Sequence, residues 1–386
     1  YTLFQPSMKN IFLLGATGSI GRSALEVIEA NSQDFTLVGF AYDNNHKVAQ
    51  DIINKHNPKF IFSHSKESKQ RGKPLASKLL NRYISSARVD VVISGISGFA
   101  GLDSTFQAVK SDKMILLANK ESIVAGGDIL LPLAAKTGAK IIPIDSEHNA
   151  INQCINYSQK NLREINKVTI TASGGPFITR NLKDLKNVKL QDALQHPTWD
   201  MGAKITIDSA TLINKCLEII EAAYLFNLNS SQIDVVVHPQ SIVHSLVTYK
   251  DGSTIAQLSH PSMTVPIANA LGMGALKKRV DISFDELFKR NTQLNFRTLP
   301  KDRREYFDLA FQVIDQKGNA GVVFNAANEV AVKAFIDGRI KFLGIYEVLK
   351  RTFKAIPWSK ITDMKDIHHF DNYARKYALK VVKSLT

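Results

Sequence analysis

The chain has 386 residues, 44% of them apolar and 22% charged, with a net charge of +14. That composition excludes intrinsic disorder over most of the length. It also lacks the roughly 18-residue apolar run of a spanning helix, since the longest candidate, positions 123–135, is broken by Gly126, Gly127, Asp128 and Pro132.

At roughly 150 residues per domain, the length predicts two to three domains. Met8-Lys9-Asn10 reads as a natural start directly before a strand, so positions 1–7 are set aside. Continuous apolar runs predict strands at 10–14, 37–41, 59–62, 90–94, 114–118 and 140–142. Helical spacing lies between most of them, at 23–30, 105–110 and 127–136. Strands alternating with helices predict a doubly wound parallel sheet, and unbroken apolar strands fit a sheet covered on both faces. The stretch 63–88 is polar and basic and carries no clear period. After Pro143 the pattern becomes α+β, with strands at 168–172, 234–237, 242–249 and 254–258 and one helix over 208–226. A loop-rich stretch runs to about Pro300, and from Arg303 onward the spacing is helical. The predicted organisation is a strand–helix segment at 8–144, an α+β segment at 145–280, a linker at 281–300 and a helical segment at 301–386.

Gly15-Ala16-Thr17-Gly18-Ser19-Ile20-Gly21 joins the first strand to the first helix. Glycines there allow a tight turn and close approach of backbone N–H groups to a pyrophosphate at a helix N-terminus. At the end of the second strand an acidic residue would grip a ribose hydroxyl and basic residues a 2′-phosphate. Tyr42-Asp43-Asn44-Asn45-His46-Lys47 is mixed and leaves the choice open. Asn119-Lys120-Glu121 follows the fifth strand, where strand ends line a ligand crevice. Lys120 there either holds an anion or is simply solvated. Asp145 and Glu147 flank Ser146 after the sixth strand. In an extended segment two such carboxylates converge and suit Mg²⁺ or Mn²⁺; at a helix start the dipole alone would favour them.

Ser209 or Asp208 is expected to cap the 208–226 helix, with Asn214, Lys215 and Glu218 on one face. That face would hold a phosphate and a metal carboxylate, or be an ordinary surface ion pair. Ser173-Gly174-Gly175 can offer N–H and hydroxyl donors to an anion. The 196–202 loop holds Trp199, one of two tryptophans, as either a water-excluding lid or a core anchor. His238, His244 and His260 sit in or beside strands, without zinc-site spacing. The two cysteines, Cys154 and Cys216, exclude a disulfide scaffold and a four-cysteine zinc site and point to a reduced, intracellular setting. Eleven Lys/Arg against four Asp/Glu at 339–386 are dispersed, never more than two together, the pattern of solvated helix faces rather than of a nucleic-acid tail.

In their order, these segments resemble the 1-deoxy-D-xylulose 5-phosphate reductoisomerase family, together with His238-Pro239-Gln240-Ser241, His244 and Asn325-Ala326-Ala327-Asn328-Glu329. The resemblance implies conversion of 1-deoxy-D-xylulose 5-phosphate to 2-C-methyl-D-erythritol 4-phosphate with NADPH and Mg²⁺ or Mn²⁺, in the non-mevalonate route to isoprenoids. It implies an N-terminal Rossmann-like parallel sheet, a central α+β catalytic domain and a C-terminal helical domain. It further implies a cytoplasmic homodimer with a phosphorylated sugar as partner and neither nucleic acid nor membrane.

By the same resemblance, Thr17, Gly18, Ser19, Ile20, Asn44, Asn119, Glu121, Met201 and Gly202 would meet the cofactor. Asp145, Glu147 and Glu218 would bind the metal. Lys120, Ser146, Ser173, Ser209, Asn214, Lys215 and His244 would hold the substrate, with His196 and Trp199 in a closing lid. Tyr42 and Asp43 stand where the family has small or basic residues, so NADH use stays open. Asp200 is another departure, in the lid. A semialdehyde- or homoserine-type dehydrogenase would explain Gly15 to Gly21 but not the three carboxylates and the phosphate set. A basic dinucleotide-sensing regulator would instead show salt-dependent nucleic-acid binding and no turnover.

Overall fold

The structure, a computed structural model, describes residues 8–66, 73–199, 201–272 and 293–385. Asp200, part of the 63–88 stretch and the first part of the expected 281–300 linker lie outside the described residues. The strands are β1 (Lys9–Leu14), β2 (Phe35–Tyr42), β3 (Phe60–Ser63), β4 (Val91–Ser94), β5 (Met114–Leu117), β6 (Lys140–Pro143), β7 (Ile165–Ala172), β8 (Ile233–Val237), β9 (Val243–Tyr249) and β10 (Thr254–Leu258). The first helices are α1 (Ser19–Ala30), α2 (His46–His56), α3 (Lys73–Ile84), α4 (Leu102–Lys110), α5 (Lys120–Thr137), α6 (Ser146–Ser158) and α7 (Leu190–Ala193). They are followed by α8 (Ala203–Thr211), α9 (Ile213–Leu225), α10 (Thr264–Ala270), α11 (Arg304–Gln316), α12 (Asn319–Ile336), α13 (Gly344–Ala355) and α14 (Met364–Leu385).

The chain divides into two compact units, neither of them one continuous stretch. The first takes residues 1–119, 132–149 and 262–283; the second takes 120–131, 150–261 and 284–386. The expected border at 144/145 thus falls inside the first unit. Ile144 is part of that unit's core. Asn149 donates to the Pro143 carbonyl at 3.0 Å and to Asn269 Oδ1 at 3.2 Å, which ties the start of α6 to β6 and α10.

In the first unit six strands run parallel in the order β3-β2-β1-β4-β5-β6. The order reverses between β1 and β4, the switch point where such sheets open a ligand crevice. Ile11 to Leu14 and Val91 to Ile93 are buried, so the unbroken apolar runs do mark strands covered on both faces. Helix α1 begins at Ser19, four residues ahead of the sequence reading, because Gly18 already acts as its N-cap.

In the second unit a four-stranded sheet has the order β10-β9-β7-β8, with β7 and β8 parallel and β9 antiparallel to both β7 and β10. Its core joins Val168 and Ile170 to Leu217 and Ile220 of α9, Val313 of α11, Phe324 of α12 and Val348 of α13. The helix expected over 208–226 is two helices. Leu212 between them adopts a left-handed φ of 65°, which costs an L-residue about 1–2 kcal/mol. Burial of its side chain holds it there. Asp208 and Ser209 therefore end α8 instead of capping α9, a correction to the sequence reading.

Candidate active site

Within the first unit the turn after β1 is shaped by close backbone approach. Gly15 has φ 77°, and a Cβ on it would lie 2.5 Å from the Gly95 carbonyl oxygen at the end of β4. A Cβ on Gly21 would lie 2.2 Å from the Ala16 oxygen, so α1 can pack on the turn only with glycine there. No side chain caps α1 at Gly18, which leaves the N–H groups of Ser19 and Ile20 to meet an anion. Thr17 is half-buried beside them. Asn119 is buried and donates to the carbonyls of Ile96 and Gly98, pinning the loop after β4. At the end of β2, Tyr42 is buried and its hydroxyl lies 3.2 Å from His46 Nδ1. The Asp43 carbonyl accepts from Ser65, and Asn44 is exposed.

Asp145 and Glu147 stand at the entry to α6. Helix begins at Ser146, so their convergence is that of a helix start rather than of an extended strand. Asp145 Oδ1 accepts from the Glu147 N–H at 3.3 Å and faces His148 Nδ1 at 3.1 Å. Ser146 donates its hydroxyl to Glu147. The carboxylates thus sit in a helix-terminal field that favours anions, on two half-buried side chains.

In the second unit the residues of α5, α8 and α9 gather into one polar site. Lys120, Lys215 and Glu218 are 3%, 4% and 1% exposed, so the surface-pair reading of that face does not hold. Lys120 Nζ lies 2.9 Å from Glu218 Oε1 and 3.0 Å from Asn214 Oδ1. Lys215 donates to the other Glu218 oxygen, and Asn214 also donates to Glu218. Ser209 lies in the last turn of α8, just before the break at Leu212. Gly175 allows the β7 loop to come close, since a Cβ on it would lie 2.7 Å from the Ser209 oxygen.

His196 joins the two loops. Its Nδ1 accepts the backbone N–H of Thr198 at 3.2 Å and of Trp199 at 2.9 Å. The ring proton therefore sits on Nε2, 3.0 Å from Ser173 Oγ and 3.1 Å from Ser209 Oγ. Burial, and then the Lys215 charge, lower the His196 pKa to about 4, so the ring is neutral near pH 7. Trp199 is half-buried, its ring centroid 6.4 Å from that of His244. His244 is buried, with Nε2 3.2 Å from the Ser259 carbonyl. Met201 and Gly202 lead into α8, where the Gly202 carbonyl accepts from Thr206.

The second unit thus brings together Lys120, Ser173, His196, Ser209, Asn214, Lys215 and Glu218. The first holds Thr17 to Ile20, Asn44, Asn119, Asp145, Ser146 and Glu147. Glu121, which the resemblance places at the cofactor, pairs with Lys204 at 2.6 Å. Burial pushes its carboxyl pKa up, but the Lys204 ammonium outweighs that and the net shift is downward. Lys204 itself was missed, as was its link through Asp208 to Asn328. The signals were a lone lysine in the first turn of α8 and the Asn325 to Glu329 motif.

Three family models match the chain: 1-deoxy-D-xylulose 5-phosphate reductoisomerase over residues 11–127, its C-terminal domain over 141–226, and the DXP reductoisomerase C-terminal domain over 258–377. A 1-deoxy-D-xylulose 5-phosphate reductoisomerase of Francisella tularensis is 42% identical over 96% of this chain and 98% of its own. That of Vesicomyosocius okutanii is 39% identical over 97% and 99%. A solved DOX-P reductoisomerase in complex with NADPH, fosmidomycin and magnesium superposes with a TM-score of 0.88 at 35% identity, covering 97% of this chain and 98% of that one. The Zymomonas mobilis enzyme in complex with NADPH gives 0.88 at 34%, covering 98% and 100%. The chain belongs to the 1-deoxy-D-xylulose 5-phosphate reductoisomerase family.

Proposed function

We infer that this chain isomerises and reduces 1-deoxy-D-xylulose 5-phosphate to 2-C-methyl-D-erythritol 4-phosphate with NADPH and a divalent metal. The observation that carries this reading is the setting of Glu218, a buried carboxylate held by Lys120, Lys215 and Asn214. Paired anionic and cationic groups of that kind suit a substrate with a phosphate at one end and hydroxy-ketone oxygens at the other.

Asp145, Glu147 and Glu218 would hold the metal, and three carboxylates are a hard-oxygen donor set that fits Mg²⁺ or Mn²⁺. When bound, the cation stabilises negative charge on the substrate oxygens, and NADPH supplies the hydride. The rest falls to the chain. Ser173, Ser209, Asn214 and Lys215 hold the phosphate, remote from the reacting carbons, where binding energy can be spent on orientation. The neutral His196 faces the Ser173 and Ser209 hydroxyls with Nε2 and orients them. Lys120 and Ser146 orient the hydroxy-ketone oxygens. Trp199 and His244 cover the site against water. Ser19 and Ile20 receive the cofactor pyrophosphate on the open N-terminus of α1.

The enzyme works as a homodimer in the bacterial cytoplasm, a setting in keeping with two buried free cysteines. The test is product identity. Incubation with substrate, NADPH and Mg²⁺ should give the branched polyol phosphate by ¹³C NMR; substrate recovered unchanged from folded protein contradicts the reading.

A further inference from the structure

We propose that Lys204 is a positioning residue of this site: by bridging Glu121 and Asp208 it holds the first turn of α5, which carries Lys120, against the end of α8, which carries Ser209. The inference rests on the reading of Ser209 and Lys215 as phosphate ligands.

Lys204 Nζ lies 2.6 Å from Glu121 Oε1 and 2.7 Å from Asp208 Oδ2. Each carboxylate is one residue from a substrate group, Glu121 from Lys120 and Asp208 from Ser209. The side chains of Glu121 and Asp208 are 8% and 1% exposed, and that of Lys204 is 23% exposed. A cation in the first turn of a helix opposes the helix dipole, and Gly202 offers α8 no side-chain cap. The i,i+4 pair with Asp208 supports α8 locally, but local helix stability does not account for the reach of the lysine to Glu121 on α5. A buried ion cluster also adds little stability over apolar packing. What it does supply is a fixed distance between two backbone segments.

The bridge is anchored from behind. Asp208 Oδ1 accepts from Asn328 Nδ2 at 2.9 Å, and Asn328 is fully buried on α12. Glu329, the next residue, accepts from Asn325 at 3.1 Å and from Arg375 of α14 at 2.6 Å. Arg375 in turn donates to Asp371 at 2.8 Å. The Asn325 to Glu329 motif, to which the reaction assigns no contact, is thereby the footing of the bridge. Ser209 transmits its position onward to His196 at 3.1 Å. The charged groups facing Lys204 are Glu121, Asp208 and, at longer range, Glu329.

The test compares full-length wild type, Lys204→Met, Lys204→Arg and the exposed-pair control Lys333→Ala. It uses steady-state kinetics and calorimetric titration with inorganic phosphate, with circular dichroism to establish folding. Lys204→Met should raise KM for the phosphorylated sugar and weaken phosphate binding by about tenfold or more, the worth of a charged hydrogen bond. Lys204→Arg, whose guanidinium can span both carboxylates, should recover to within about threefold. Lys333→Ala should behave as wild type. Folded Lys204→Met with wild-type KM, kcat and phosphate affinity overturns the proposal. If that variant does not fold, Asp208→Asn keeps an oxygen to accept from Asn328 and turns an amide NH₂, a donor without charge, towards Lys204, which breaks that arm of the bridge; wild-type KM and phosphate affinity in it are then the contradicting result. Wild-type protein that binds phosphate without turning over the sugar rejects the reaction assigned above, and phosphate affinity alone then judges Lys204.

Discussion

At Glu218, two ammonium groups and an amide converge on one carboxylate with almost no solvent access. Glu218→Gln keeps an acceptor but removes the charge that both lysines face and that the proposed metal would need. Metal-dependent turnover should fall by about 10² or more, with the circular dichroism spectrum retained; near-wild-type turnover would remove Glu218 from the metal set. Lys215→Ala should raise KM for the sugar phosphate by about tenfold or more, and an unchanged KM would refute its phosphate role. His196 carries a pH signature. Its folded pKa is near 4 against 6.5 for an ordinary imidazole. Below pH 6.5 the unfolded chain binds a proton here that the folded chain does not. The contribution of this ring to stability is therefore present above 6.5 and lost as pH falls towards 4. Ring NMR signals of His196 should stay unchanged between about pH 5.5 and 8, and a midpoint near 6.5 would contradict the neutral ring. The residue types of this site were legible in the sequence, but their burial was not. Lys215 and Glu218 at i,i+3 read the same on a solvated face as in a pocket, and so do Lys204 and Asp208 at i,i+4.

The elements that carry the site were legible where apolar runs were continuous. All six strands of the parallel sheet fall within two residues of the sequence reading at each end. The break between α8 and α9 was not legible. A left-handed residue is ordinarily announced by Gly or Asn, and here Leu212 takes the conformation under the constraint of its own burial. At the turn after β1 the logic is reversed, since the glycines that signal the motif are also the residues that sterics require. Gly15→Ala would place a methyl against the Gly95 carbonyl at φ 77°. It should destabilise the fold by about 1–3 kcal/mol and weaken NADPH binding in a fluorescence titration. Wild-type melting and affinity in that variant would show that the turn tolerates a side chain.

Over the whole molecule, the two cores follow the two contact units rather than consecutive blocks of sequence. The boundary inside α5, at Pro132, was illegible because the apolar composition of the helix does not change there. The net charge of +14 fits ligands that carry phosphate groups. Because long-range attraction is screened by salt, kcat/KM for the sugar phosphate should fall as ionic strength rises, and a flat salt profile would remove steering from the account. The central claim is a metal-dependent, NADPH-consuming rearrangement of a sugar phosphate. Its most direct test is the absorbance of NADPH in the presence of 1-deoxy-D-xylulose 5-phosphate, with Mg²⁺, with Mn²⁺ or with EDTA, and with NADH run in parallel. The account predicts oxidation of NADPH with either metal and none with EDTA. No oxidation under any combination, from protein shown to be folded, would contradict it.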